Sequence, residues 1–257
     1  MAGRKPGPID RMVQRGALRA WTRRAEAASD TPLDELKRQR SDARRLKWQL
    51  ETLLHTAENR LALPAIGNQS FPRPHDADWA WRPEAWTGPL PVRGIASVQS
   101  ASGLGREATL FHDCPASELT LRQVRNTREA DLAPFGLRLD VFRFQGSYLS
   151  LAVELPEAAA RGLTRRHLLR LDTIVEMEKP LEIFVRLNVK HGPNVEQIVR
   201  ELPLGDEDVR VEFDLAYTKL NEKRVEKLWL DIIFEGPQMN QVVLRDLTFS
   251  RRPRAEL

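Results

Sequence analysis

Cysteine is almost absent from this chain: a single residue, Cys114, occurs in 257. One thiol excludes an intramolecular disulfide framework and any metal site built from several thiolates, and it suits a reducing compartment. The five histidines, His55, His75, His112, His167 and His191, lack a compact ligand spacing such as a helical i, i+4 repeat, so neither a metal nor a cofactor is expected. No stretch approaches ~20 consecutive apolar residues, the length that spans a bilayer. The opening MAGRKPGPIDRMVQRGALRAW interrupts every apolar run with arginine before it reaches signal-peptide length, which makes the cytoplasm the expected location. A P-loop, a dinucleotide glycine fingerprint, internal repeats and low-complexity tracts are missing too.

What is present can fill a core, since 41% of residues are hydrophobic and 30% charged. The net charge of +4 is unevenly distributed. Residues 1–60 hold 14 Lys/Arg against 8 Asp/Glu, leaving 26 against 28 for the remainder, so a basic arm adjoins a near-neutral domain. Within that arm residues 8–28 have helical periodicity, with Ile9, Met12, Val13, Ala17, Ala20, Trp21 and Ala28 on one side and Arg11, Arg15, Arg19 and Arg23 on the other. Three readings of this helix stand together. It lies on an anionic membrane, with Trp21 at the headgroup boundary and the four arginines toward lipid; it contacts nucleic-acid phosphates, the least expected of the three; or it is an ordinary solvated terminus. A second helix follows, with Thr31 and Asp34 at capping-box spacing, Pro32 at the first helical position, and Pro64 and Gly67 as its stop. Leu36, Ala43, Leu50 and Ala57 recur every seven residues beside Leu46 and Leu53, a row broken by Gln39 and Arg60. This pattern over residues 33–61 fits a short coiled coil between copies, packing on the first helix, or docking on the following domain.

Residues 63–93 form a Pro-rich segment that also carries Trp79, Trp81 and Trp86. Tryptophan left in water in a free linker gains nothing, so the segment reads as a strap across a domain. From residue 94 the period changes to two. Strands are expected at 95–99, 109–112, 119–124, 167–175, 181–190, 197–202, 209–217, 227–234 and 241–250, with a hairpin of 141–144 and 147–155 turning at Gln145-Gly146. Helical patterns are nearly absent between them. The fold class is therefore mainly β: an antiparallel β-sandwich, jelly-roll-like with about 8–10 strands, over residues 94–257, behind a helical extension of residues 1–62.

The stretches LTLRQVRNTREADLAPFGLRLDVFRF, FVRLNVKHGPNVEQIVREL and LWLDIIFEGPQMNQVVLRDLTFSRRPRAEL resemble an uncharacterised family of alphaproteobacterial proteins, a domain of unknown function, which implies a bacterial source and supplies no activity. The C-terminal pattern, Trp229-Leu230-Asp231-Ile232-Ile233-Phe234 then Val243-Leu244-Arg245-Asp246-Leu247, resembles the last strands of carbohydrate-binding modules and galactose-binding-like jelly rolls.

Alternation sorts each strand into two faces. Ile183, Val185, Leu187 and Val189, then Val211, Phe213 and Leu215, then Leu228, Leu230, Ile232 and Phe234 read as core. Opposite them, if the strands adjoin, Arg186, Asn188, Asp214, Trp229 and Asp231 share one sheet face. An indole that stacks on a sugar ring, surrounded by amide and charged groups for its hydroxyls, makes this a candidate glycan site; the plain alternative is a solvated face of cross-strand ion pairs. Asp214 and Asp231 would also have to flank one cleft for glycoside hydrolysis. His112-Asp113-Cys114 reads as structural, because neighbours along a strand point to opposite faces. His167 reads as a hydrogen-bonded core histidine, and Arg251-Arg252-Pro253-Arg254 as a solvated tail. The leading expectation is a non-enzymatic module that binds a glycan or glycan-related partner. A protein-interaction scaffold or adaptor, one version of it peripheral to the inner membrane surface, comes second, and a hydrolase third.

Overall fold

A computed structural model describes residues 7–62, 70–205 and 208–254. Contacts divide the chain into two units, Met1–Asn59 and Arg60–Leu257. The first contains α1 (Pro8–Glu26) and all but the last three residues of α2 (Leu33–Ala62). The capping box expected at Thr31 does not form. The Thr31 hydroxyl donates to the Ala27 carbonyl (2.8 Å), and Pro32 stands at the cap with its carbonyl accepting the Leu36 N–H (2.9 Å). Asp34 and Glu35 occupy the first turn, where the helix dipole favours negative charge. Pro64 and Gly67, the expected stop of α2, and the side chains of Arg11 and Ala57 lie outside the described residues. Among those described, no helix is long and apolar enough to cross a membrane.

The second unit is built from strands whose apolar residues alternate, so that each has one side to bury. Among the described residues these are β1 (Trp79–Trp81), β2 (Gly94–Ala96), β3 (Ser102–Leu104), β4 (Ala108–His112), β5 (Leu119–Arg125), β6 (Phe135–Val141), β7 (Leu149–Glu154), β8 (His167–Met177), β9 (Ile183–His191), β10 (Asn194–Glu201), β11 (Asp208–Asp214), β12 (Val225–Phe234) and β13 (Asn240–Pro253). Short helices α3 (Glu84–Thr87) and α4 (Glu157–Ala160) interrupt them. One sheet runs β11-β8-β13-β6-β5-β2, with β1 also beside β13, and the other runs β10-β9-β12-β7-β4-β3. Every pairing is antiparallel. From β6 to β9, and again from β10 to β13, each connection crosses between sheets, which makes the unit a jelly-roll sandwich. The faces sorted by alternation are the faces buried: Ile183, Val185, Leu187, Phe213, Leu230 and Ile232 are at most 1% exposed.

Two expectations within the sandwich are also overturned. Residues 141–155 are not a hairpin, because β6 lies in the seven-stranded sheet and β7 in the other, and the segment between them passes from sheet to sheet. The C-terminal arginines are no solvated tail. β13 continues to Pro253, and the buried Arg251 guanidinium donates to both carboxylate oxygens of Asp78 (3.0 Å each) and to the Ala159 and Arg161 carbonyls.

β13 organises its sheet. β8 pairs with it along nearly its whole length, while on the other side β6 pairs with Asn240 to Leu244 and β1 with Phe249 to Arg251. The register against β8 slips by one residue between Leu244 and Asp246. That bulge lets Val242 and Leu244 before it, and Leu247 and Phe249 after it, all reach the core although their parity differs. It also turns Asp246 toward Arg82, which follows β1. Arg82 is 0% exposed, and its Nε and a terminal nitrogen donate to the two Asp246 oxygens at 2.9 and 2.7 Å. Trp86 on α3 is fully buried, and its Nε1–H donates to the Leu244 carbonyl (2.9 Å).

Burial pushes the Asp246 carboxyl above its ordinary value, against the pull of the Arg82 guanidinium and the Leu247 N–H. Replacing Arg82 strands that charge, so Arg82→Met is expected to destabilise the domain by about 3–5 kcal/mol at neutral pH, with much of the loss recovered in Arg82→Met/Asp246→Leu. An acid whose folded-state pKa is raised binds its proton more readily folded than unfolded, so its unfavourable contribution appears as pH rises through that value. The stability gap between wild type and Arg82→Met should therefore shrink as pH falls from 7 toward 5. Urea denaturation of the three proteins across that range checks both expectations; a gap that widens on acidification would contradict them.

Candidate functional site

The outward face of the six-stranded sheet carries most of the expected cluster. Cross-strand register sets Trp229 opposite Asn188 and Asp231 opposite Arg186 on β9, while on the other side Trp229 faces Glu154 and Asp231 faces Ala152 on β7. Asp231 Oδ2 accepts from Arg186 Nε (3.0 Å) and Nη2 (2.8 Å) and from Asn188 Nδ2 (2.9 Å); Asn188 Oδ1 accepts from Gln197 Nε2 (3.0 Å) on β10. Asn188 is 0% exposed and Asp231 6%, so these two fix the Arg186 guanidinium, which keeps 37% of its side chain exposed. Asp214 is not among them. It lies on β11 in the opposite sheet, where it accepts from Ala216 N–H (2.9 Å) and stands 3.7 Å from Arg254.

Around Trp229 runs a groove of about 420 Å³ lined by Thr109, Phe111, Tyr148, Ser150, Ala152, Glu154, Arg186, Lys227, Trp229 and Asp231. Lys227 bridges to Glu154 (2.6 Å) and holds its ammonium 6.0 Å from the indole centroid. Small residues on β7, Ser150 and Ala152, form the floor between the rings. Trp229 is half-buried, and Phe111 and Tyr148 are 36% and 45% exposed. Two strands and four residues separate Phe111 from Trp229 in the ladder, a backbone span of about 16 Å by standard strand spacings. Trp79, Trp81 and Trp86 do not cover this face. Trp79 and Trp81 stack on each other with centroids 6.5 Å apart, Trp81 lies against Phe249 of β13, and Trp86 is in the core.

Phe111, Tyr148, Ser150, Ala152 and Glu154 escaped the sequence reading, which had no means of learning that β7 adjoins β12 and β4 adjoins β7. Tyr148 owes its position to Asp113, whose carboxylate accepts from the Ser147 hydroxyl (2.6 Å) and from the N–H groups of Ser147 (2.7 Å) and Tyr148 (3.2 Å). The Ser147 hydroxyl, then the backbone donors, hold the Asp113 carboxyl below its ordinary value. Gly146 is required there, because a Cβ on it would lie 2.3 Å from Asp113 Oδ1 and 2.9 Å from Cys114 N.

Elsewhere the residues with reactive side chains are engaged structurally. Cys114 is buried, with Sγ donating to Ala116 O (3.1 Å) and accepting from Gln145 N (3.3 Å), and His112 Nδ1 accepts from the Cys114 N–H (3.2 Å). His167 Nδ1 accepts from Thr164 N (3.0 Å); burial, then the Arg251 charge, lower its pKa. A second cavity, of about 540 Å³, opens on the seven-stranded sheet beneath Phe71, but Arg170 and Arg210 within it both pair with Asp172, and Arg128 pairs with Asp131 and Glu176. No cluster of three or more metal-ligating side chains occurs among the described residues. On α1, Arg15, Arg19 and Arg23 are exposed, and the half-buried Trp21 ring lies 4.8 Å under the Arg24 guanidinium.

Fold and groove together define a jelly-roll β-sandwich unit with an open, ring-lined trough on one sheet. The chain belongs to the family of unknown function DUF6478, whose profile matches residues 1–257. Comparison with curated proteins finds no match. Among solved structures it is similar to the enzymatically active domain of tailspike protein 4 from bacteriophage CBA120, with 9% identity and a TM-score of 0.42 over 60% of this chain and 21% of that one. It is also similar to a family 11 carbohydrate-binding module from Clostridium thermocellum that was solved with a mixed-linked tetrasaccharide (9% identity, TM-score 0.36, 65% of this chain and 99% of that one). A third likeness is to a xylan-binding domain from Paenibacillus barcinonensis (8% identity, TM-score 0.36, 63% and 94%). The chain thus spans about a fifth of the tailspike chain and nearly all of each module.

Asp113→Ala removes the acceptor of the Ser147 and Tyr148 amides. Their hydrogen exchange should accelerate by roughly ten-fold while the amides of β12 stay unchanged. In the wild type the same loosening should appear only on acidification, as pH falls below the ordinary carboxylate value and through the depressed one.

Proposed function

We propose that this protein is a non-catalytic binding module whose groove on the six-stranded sheet takes an elongated oligosaccharide. The supporting observation is Trp229 itself: a half-buried indole that lines an open groove, flanked by the guanidinium of Arg186 and the Lys227–Glu154 pair. The ring supplies an apolar platform for a sugar face, and the fixed charges and the Thr109 and Ser150 hydroxyls offer donors and acceptors for its hydroxyl groups. Because Phe111 and Trp229 are so far apart, a ligand that touches both rings must be a chain of sugars rather than a single one. Hydrolysis has little in its favour: Asp214 and Asp231 belong to opposite sheets, and the groove carboxylates Glu154 and Asp231 are ion-paired to Lys227 and Arg186.

A protein ligand on this sheet has one observation behind it, the free edge of β10, where Val195 and Val199 are 43% and 49% exposed. Against strand addition there, Glu196 and Arg200 pair with the buried Val189 and Val185 and so put charges on the core side of the edge, a device that discourages edge pairing.

Thermal unfolding of the full chain with millimolar oligosaccharides and their monosaccharides tests the proposal. A ligand at 100 times its dissociation constant adds about 2.7 kcal/mol, a rise of roughly 5–10 °C for a domain of this size. The rise is expected for one class of oligosaccharide, smaller for its monosaccharide, and lost in Trp229→Ala and reduced in Phe111→Ala. A rise of equal size in Trp229→Ala, or none with any oligosaccharide, refutes it.

A further inference from the structure

Leu36, Ala43 and Leu50 occupy one seven-residue row of α2, and Gln39, Leu46 and Leu53 its companion row. Together they make a single stripe down the helix. Leu36 and Ala43 are half-buried, but Leu46, Leu50 and Leu53 are 39%, 50% and 63% exposed. The charges beside the stripe are sorted by sign. Glu35 and Asp42 precede Leu36 and Ala43 on one flank; Arg40 and Lys47 follow Gln39 and Leu46 on the other, and all four are exposed.

From this pattern we infer that α2 pairs with α2 of a second copy of the chain as a parallel, in-register coiled coil. In that arrangement a residue on the first flank meets the residue five positions later on the second flank of the other helix. Glu35 then faces Arg40 of the second copy and Asp42 faces Lys47, and the twofold axis repeats both pairs. Reversing one helix sets the basic flanks against each other and the acidic flanks against each other, so the charge pattern selects the parallel pair and opposes the antiparallel one. Gln39 contributes in the same direction. In register it meets Gln39 of the second copy, amide to amide, whereas sliding one helix by a heptad sets it against Leu46. Its present bond to Glu35 Oε1 (3.0 Å) and the Asp42–Arg45 pair (2.5 Å) are exposed intrahelical contacts, which add little stability and yield readily to new partners.

The experiment uses the full chain in sedimentation equilibrium over roughly a hundred-fold concentration range, since a short seam dimerises by mass action. A dimer is expected. Leu46→Asp/Leu50→Asp should be monomeric with unchanged helical circular dichroism. Glu35→Lys/Asp42→Lys should weaken the dimer by about ten-fold or more, and adding Arg40→Glu/Lys47→Glu should restore it. Orientation is read from Leu36→Cys, which should oxidise to a dimer cross-linked between the two copies of position 36. In an antiparallel pair those positions are about 25 Å apart, and the native Cys114 is buried. A monomer throughout the range overturns the inference, and binding of that monomer to phosphatidylglycerol vesicles would assign the stripe to a lipid surface instead. A dimer indifferent to Leu46→Asp/Leu50→Asp, or one without the 36–36 cross-link, overturns it equally.

Discussion

The Arg82 guanidinium has no access to water, and it holds both carboxylate oxygens of Asp246 at the bulge of β13. Desolvating such a pair is costly, and only good geometry offsets it. Here the two-point contact and the Leu247 N–H to Asp246 (2.8 Å) provide that geometry. The pair sits where β6 ends along β13 and β1 begins, so it ties the segment around Trp79–Trp86 to the strand that pairs most extensively in its sheet. Trp86 reinforces the same junction from inside the core through its bond to Leu244. Loss of either contact would free β1 and α3 together, because neither element is long enough to hold itself in place.

The two outward faces of the sandwich differ for a related reason. On the seven-stranded sheet the charges cancel within and between strands: Asp140 meets Arg122 and Arg138, Asp172 meets Arg170 and Arg210, and Glu176 meets Arg128 and Arg245. Such ladders keep a face solvated and contribute modestly to stability. On the six-stranded sheet the buried Asp231 and Asn188, with Gln197 bonded to Asn188 from the edge strand, set one guanidinium beside an indole, and small β7 side chains leave space above the floor. Rigid support under a partly exposed ring is what a binding surface needs and an ordinary solvated face does not.

Much of the candidate site was legible in the sequence. Alternation placed Arg186, Asn188, Trp229 and Asp231 on one outward face, since a period of two is fixed by strand geometry itself. Asp214 had the same parity on an equally good strand and still went to the other sheet, because parity says which side of its own sheet a residue takes and nothing about which sheet that is. Phe111 and Tyr148 were missed for the converse reason: Phe111 lies on β4, which meets β12 only through β7, and Tyr148 just precedes β7, whose pairing with β12 depends on strand order.

What the sequence determined by itself was therefore local: helical period before residue 63, strand period after 94, the side each strand buries, and the absence of thiolate or histidine clusters. Tertiary structure alone decided the strand order, the passage of residues 142–148 from one sheet to the other, and the bulge that aims Asp246 at Arg82. It also drew the C-terminal arginines inward, because Arg251 finds Asp78 and two carbonyls there. Those outcomes depend on partners far away in the chain, and a charged or aromatic residue looks the same in sequence whether its partner is water or a buried carboxylate.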